Sequence, residues 1–195
     1  VENKVERRMG PAGSENWHAM LDGAEDILRE EGHAALTSRR VAERIGVKQR
    51  LIYYYFRTMD DLVVEMFHRL SERALARLRE AAGSSSPLRD IWDICINTAD
   101  ARLVSEFMAL AHRIEGLRKE VMHFIEESRA IQVEALEAAM ARSGWTGPVP
   151  ARSLALIATS LGLSLPREEK VGVTTGHAET LDVIAAMFER LEPGA

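Results

Sequence analysis

The sequence predicts an all-α fold, with a small N-terminal domain of three helices followed by a larger helical bundle. Apolar residues recur at three- and four-residue spacing along almost the whole of its 195 residues. Glycine, serine and proline fall between those periodic runs, where helices stop and start. No stretch alternates apolar and polar residues as a half-buried strand would. Hydrophobic residues make up 46% of the chain, enough to bury a core without cross-links. The single cysteine, Cys95, excludes an internal disulfide and a multi-cysteine zinc site built from one chain.

In the first helix Trp17, Met20, Leu21, Ala24, Ile27 and Leu28 form one apolar stripe, with Ser14 as N-cap and Gly32 as the stop. The second helix opens at Thr37, carries Val41, Ala42 and Ile45 inward, and ends at Gly46. After Val47 a third short helix spans 48–56. Thr58 and Asp61 form a capping-box pattern that starts a fourth helix ending near Ala82. The run 83–87 is the clearest break, where Ser86 can cap and Pro87 suits the first helical position. Helices over 87–103, 104–115 and 117–142 follow, closed by the Gly- and Pro-containing turn 143–150. The last two helices span 151–164 and 177–192, separated by Pro166 and a loop with Gly and Thr.

The N-terminus is charged rather than apolar, unlike a secretory leader. The longest uncharged, apolar-leaning run, 153–166, is too short to cross about 30 Å of hydrocarbon. A soluble, cytoplasmic protein with no membrane partner is expected. The net charge of −5 is unevenly spread. Between His33 and Met59 stand Arg39, Arg40, Arg44, Lys48, Arg50 and Arg57 against one acid, Glu43, a net of +5 that leaves −10 elsewhere. A short positive patch on an acidic body is the footprint of a module that grips phosphates locally. A solvated basic face is the plainer alternative.

The stretch 37–56 joins two short helices through Gly46, and the second is dense in long polar and aromatic side chains. This is the pattern of a helix-turn-helix, in which a small turn residue lets the helices cross steeply while apolar residues lock them. Val41, Ala42, Ile45, Val47, Ile52 and Phe56 can do the locking, leaving Lys48, Gln49, Arg50, Tyr53, Tyr54 and Tyr55 largely outward. Three consecutive tyrosines on so short a helix cannot all be core. Their rings can pack while their hydroxyls reach phosphates or their faces meet thymine methyls. Gln49 can pair with adenine and Arg50 with guanine in the major groove. An ordinary interhelical corner has the same outline, but the local charge and the tyrosine run weigh against it.

Residues 17–62 resemble the N-terminal domain of TetR-type transcriptional regulators. The matching features are a first helix ending at Gly32, Leu36-Thr37 opening the second, and Val41-Ala42 with Ile45-Gly46-Val47 at the turn. Ile52-Tyr53-Tyr54-Tyr55-Phe56 closes the third helix, and Asp60-Asp61-Leu62 starts the fourth. The resemblance implies a flexible segment over 1–13, a DNA-binding domain over 14–60, and a ligand-binding and dimerisation domain over 61–195. It implies a homodimeric repressor that binds a pseudo-palindromic, double-stranded operator without a cofactor and is released by a small effector. Thr37 and Arg40 are then expected near one phosphate strand, Lys48, Gln49, Arg50 and Tyr54 at base edges, and Tyr53 and Tyr55 near the backbone. Three departures matter: Arg50 stands where the family usually has a small residue, Leu51 where it has Thr, and Met59 where it often has Lys. Arg50 and Arg57 can replace the phosphate partners so lost, and the operator sequence does not carry over from a relative.

Residues 84–195 resemble no family member specifically. The run 153–165 has almost no polar face, and Leu181, Ile184, Ala185, Phe188 and Leu191 form one stripe. Paired across a two-fold axis, Leu154, Leu161, Leu181, Ile184 and Phe188 would make an isologous dimer interface; intramolecular core is the alternative. The candidates for an apolar ligand cavity are Trp92, Cys95, Ile96, Phe107, Met108, Ala111, His112, Met122 and Ile125, with Asn97, Asp100 and Arg113 as polar anchors. Each of these also suits plain core.

Two other classes remain. Glu-x-x-His at 65/68 and 120/123 has the spacing of bundle di-iron enzymes, but it also occurs at 15/18 and 30/33, near helix ends. No nucleophile triad, phosphate loop or zinc-protease motif occurs, so no catalytic or metal residue is nominated. A helix-turn-helix regulator governed by a protein partner, or acting constitutively, needs no cavity at all.

Overall fold

The computed structural model describes residues 10–97 and 101–193. Its α-helices are α1 (Glu15–Glu31), α2 (Ser38–Arg44), α3 (Gln49–Tyr55), α4 (Met59–Ala82), α5 (Pro87–Asn97), α6 (Ala101–Ala111), α7 (Glu115–Ser143), α8 (Ala151–Lys170) and α9 (His177–Leu191), with a short 3-10 turn at His33–Ala35. Among the described residues there is no strand. They form two compact units, one of residues up to Leu70 with Ser105–Val121, the other of Ser71–Val104 with Met122 onward. Residues 1–9 of the expected N-terminal segment, and 98–100 in the middle of the expected 87–103 helix, lie outside the described residues.

The N-terminal helices start and stop as their sequence signals dictate. The Ser14 Oγ accepts the Trp17 N–H at 3.3 Å, and the Thr37 Oγ1 accepts the Arg40 N–H at 3.2 Å. Gly32, at φ 83°, turns its N–H back onto the Ile27 and Leu28 carbonyls. Thr58 and Asp61 cap each other reciprocally at 3.1 and 3.0 Å. The buried stripe Met20, Leu21, Ala24, Ile27 and Leu28 of α1 belongs to the same unit as buried Val41, Ala42, Ile52, Phe56, Leu62 and Met66. Gly46 makes the α2–α3 reversal at φ 72°, and the Val47 N–H closes onto the Ala42 carbonyl at 2.9 Å.

In the second unit Leu78, Ala81, Leu88, Ile91, Ala135, Ala139 and Leu191 form the core. The start of α5 is capped from across the sequence: the buried Glu192 carboxylate accepts the N–H groups of Leu88 at 2.9 Å and Arg89 at 3.3 Å. The sequence had offered Ser86 for that role. A carboxylate is the stronger acceptor for free N–H groups at a helix start. Helix α8 also departs from expectation, running through Pro166 to Lys170 instead of ending at 164. Proline holds φ near its helical value and forfeits one hydrogen bond, here to the Gly162 carbonyl. The extra turn brings Glu168 within 3.0 Å of His177, which ties the start of α9 to the end of α8.

Gly46 has open space where a Cβ would stand, so only its backbone conformation opposes substitution. Gly46→Ala should cost about 1 kcal/mol, the penalty of a left-handed non-glycine residue. A lower urea midpoint at unchanged slope would report it, and an unchanged midpoint would contradict the strained turn.

Candidate nucleic-acid interface and cavity

Lys48 is the N-cap of α3, and Gln49 and Arg50 occupy its first turn; all three are exposed. Tyr54 lies one turn after Arg50 on the same face and is also exposed, as is Arg57 just past the helix. Tyr53 and Tyr55 are half-buried, so the expectation of three outward tyrosines is corrected to one. The Tyr53 hydroxyl is spent within the unit, 3.0 Å from the Ser38 Oγ. Tyr55 meets Tyr54 edge-on at 5.3 Å, and the Gly10 N–H donates to the Tyr54 carbonyl at 2.8 Å.

Ser38, absent from the sequence candidates, organises this surface. Its buried hydroxyl accepts the Gln49 Nε2–H at 2.8 Å as well as meeting Tyr53. The contact runs between helices, and the periodicity of one helix carries no signal of it. Gln49 keeps its Oε1 and a second N–H, the pair that a bidentate contact to adenine uses.

The positive patch is divided into two parts. Arg40 grips Glu31 through Nη2 at 2.8 Å and Nε at 3.2 Å, and Arg44 reaches Glu30 at 2.8 Å and Glu31 at 2.9 Å. Arg39 pairs with Glu43 at 2.8 Å. The hydrogen bond from Arg40, above all, holds the Glu31 carboxyl below its ordinary value. Lys48, Arg50 and Arg57 make no ion pair among the described residues, so the uncommitted charge lies on α3 and just beyond it. Thr37 uses its oxygen as a cap, which leaves its hydroxyl proton to donate elsewhere.

In the second unit α5, α7, α8 and α9 surround a cavity of about 90 Å³. Of the ligand candidates, Trp92 and Cys95 line it. Ile96 is half-buried and lies outside the lining, while Met122 and Ile125 are exposed on α7. Phe107 and Ala111 are buried in the first unit, Phe107 against Phe67 at 4.9 Å, and Met108 and His112 are exposed there. Among the polar anchors, Asn97 donates to Asp93 at 2.5 Å, Arg113 is exposed, and Asp100 lies outside the described residues. The rest of the cavity wall includes Leu154, Leu161, Ile184 and Phe188, four of the residues expected at a dimer interface. The exposed apolar residues of α8 and α9 are instead Leu156, Ile157, Leu181 and Val183. For the di-iron alternative, His68 is hydrogen-bonded to Glu120 at 3.0 Å, and among the described residues no three metal-ligating side chains come together. No helix among them is long and apolar enough to cross a membrane.

Two short helices joined by a left-handed glycine, with an uncommitted basic helix exposed, define a helix-turn-helix DNA-binding unit. Residues 20–66 match the family model described as bacterial regulatory proteins, tetR family. The chain is 26% identical over 178 residues, 85% of its own length, to an uncharacterised HTH-type transcriptional regulator in the dhlA 5′ region of Xanthobacter autotrophicus, of which it covers 83%. In fold it is similar to a TetR transcription regulator from Haloarcula marismortui (TM-score 0.72, 19% identity, 88% of this chain and 94% of that one). It is similar also to E. coli NemR in its reduced form (TM-score 0.73, 16% identity, 86% and 94%). Residues 20–66 thus carry the match to the tetR family, and over most of its length the chain is similar to an HTH-type transcriptional regulator.

Burial pushes the Cys95 thiol up to about 11, against a smaller opposing pull from Arg129. The folded state thus holds its proton where the unfolded chain, near 9, has lost it, so this group subtracts stability as pH rises from about 9 to 11. Alkylation by iodoacetamide at pH 8 should be much slower in the native protein than in urea-unfolded chain. Equal rates would show that the thiol is open to solvent.

Proposed function

We propose that the protein is a cytoplasmic repressor that binds a pseudo-palindromic operator as a homodimer and is released by a small, largely apolar effector in the cavity of the second unit. The observation that carries this is the exposed set on and beside α3: Lys48, Arg50 and Arg57 without ion pairs, around Gln49 and Tyr54. Charges already paired with carboxylates must give up those partners to reach a phosphate, whereas these three release counterions directly. Lys48, Gln49, Arg50 and Tyr54 are assigned to base edges, and Thr37, Arg40 and Arg57 to phosphates. Tyr53 and Tyr55 act close to the backbone, holding α3 in place.

The dimer is assigned to the exposed apolar residues Leu156 and Ile157 of α8 and Leu181 and Val183 of α9, with Leu154, Leu161, Ile184 and Phe188 packed behind them. The small cavity also gives weight to a second reading, a regulator governed by a protein partner or by none. Drug-sized ligands occupy about 300 Å³ or more. The two readings part on whether a ligand of the cavity weakens operator binding.

Against operators selected from random duplexes, log affinity should fall with log salt by about 0.9 for each phosphate neutralised. Arg50→Ala should relax preference at one base pair per half-site, costing about 1–3 kcal/mol for the preferred base. Glu31→Gln, which frees Arg40, should strengthen binding to every duplex and steepen the salt slope by up to about 0.9. A flat salt response, or an Arg50→Ala loss equal on all sequences, would mean that α3 does not enter the groove.

Ile157→Asp combined with Val183→Asp should give monomers by analytical ultracentrifugation, with operator affinity lost and helical content kept. A wild-type chain that is monomeric at micromolar concentration would sink the dimer.

A further inference from the structure

Gln132 is the one side-chain amide in the cavity wall, 6% exposed in a lining otherwise apolar and aromatic apart from the Cys95 thiol. One end of that amide meets the Thr159 hydroxyl at 2.8 Å, and the same hydroxyl oxygen lies 2.8 Å from the Ala155 carbonyl. A hydroxyl has a single proton to give. Were it spent on an amide oxygen, the Thr159 and Ala155 oxygens would face each other at 2.8 Å with no proton between them. Spent on Ala155, it makes the back-bond common to helical threonines. The amide must then present its N–H to the Thr159 oxygen, and both short contacts become hydrogen bonds. The oxygen and nitrogen of a glutamine amide have nearly the same shape, so the hydrogen-bond network decides between them. The arrangement with two bonds prevails and puts the Gln132 carbonyl oxygen at the amide's other end, which makes no hydrogen bond among the described residues and keeps some access to solvent.

We propose that the cavity takes a small apolar alcohol whose O–H donates to that oxygen. This deepens the effector reading and rests on it. A carbonyl oxygen in a mostly apolar wall loses its water when a ligand fills the cavity, and a ligand that brings its own donor replaces that hydrogen bond and avoids the cost. An apolar molecule of the same shape leaves the cost in place, and one with only an acceptor sets oxygen against oxygen. At about 90 Å³ the cavity is smaller than the one of about 150 Å³ that admits benzene, so the probes are kept no larger than six non-hydrogen atoms.

Cyclopentanol, cyclopentanone and methylcyclopentane are close in size and offer respectively a donor, only an acceptor, and neither. Each is titrated into the full chain without DNA and followed by the NMR shifts of the Gln132 side-chain amide and the Trp92 indole. Cyclopentanol should bind about three- to tenfold more tightly than the other two, the range of one net hydrogen bond. Gln132→Met should bring the three affinities together. Thr159→Val frees the amide to turn over, so it should narrow or reverse the preference for alcohol over ketone; a merely structural threonine would weaken all three alike. Cyclopentanone binding as tightly as cyclopentanol to the unmodified protein overturns the donor assignment and leaves the effector reading intact. Cyclopentanol binding with the expected preference, yet leaving operator affinity unchanged, supports the site and overturns its role as effector site. Failure of all three to bind overturns both.

Discussion

One backbone conformation governs where the exposed side chains of α3 point. At φ 72° Gly46 reverses the chain between α2 and α3 in a region where a Cβ crowds the next carbonyl. Because the reversal is tight, Val41 and Ala42 on one side and Ile52 and Phe56 on the other are all buried. Lys48, Gln49 and Arg50 then fall at the exposed start of α3. The remaining contacts of the unit brace that corner. Trp17 stacks on Phe56 at 6.5 Å, and Arg40 and Arg44 hold α2 to the end of α1. Ser38 bridges α2 to Gln49 and Tyr53 of α3, so the rotation of the recognition helix is fixed by polar contacts as well as by its core.

Counting charges along the chain finds the patch but not its division. Glu30 and Glu31 lie outside the basic stretch in sequence and against it in space, where they neutralise Arg40 and Arg44. Exposed pairs of this kind contribute little to stability. A phosphate can therefore exchange with Glu31 for Arg40 at small cost. The three cations without such pairs need no exchange, and two of them, Lys48 and Arg50, stand at the very start of α3. A chain of net charge −5 thus keeps three basic side chains on and just beyond α3 without an ion pair among the described residues.

What was legible in the sequence was local. Ser14, Gly32, Thr37, Gly46 and the Thr58/Asp61 box act within a few residues of their own position, and the structure bears each of them out. The buried faces of α1 and α2 followed from helical period alone. Contacts between distant segments were not legible. Period tells which face of a helix is apolar, not which helix will cover it, and so Phe107 and Trp92 read alike although they lie in different units. Period likewise did not show that Leu154, Leu161, Ile184 and Phe188, expected at a dimer interface, line a cavity together. Pro166 was taken for a break because proline usually is one, yet a single lost hydrogen bond near the end of a 20-residue helix is affordable.

On the proposed effector reading, coupling between cavity and operator runs along α4. This 24-residue helix, about 36 Å long, belongs to both units, burying Leu62, Val63, Met66 and Phe67 in the first and Leu75, Leu78 and Ala81 in the second. Leu78 and Ala81 share a core with Leu88, Ile91 and Leu191, and those last three also form part of the cavity wall. A ligand that shifts that wall acts on residues packed with α4, and the same helix begins directly after α3. The energy required is modest. A tenfold loss of operator affinity needs about 1.4 kcal/mol of differential binding between the two states of the protein. Displacing a few buried methyl groups involves energies of that size. Linkage makes the effect reciprocal, so operator DNA must weaken the ligand by the same factor. On that reading a cavity of about 90 Å³ delivers its discrimination through shape and one amide, because it has little area with which to do so by burial alone.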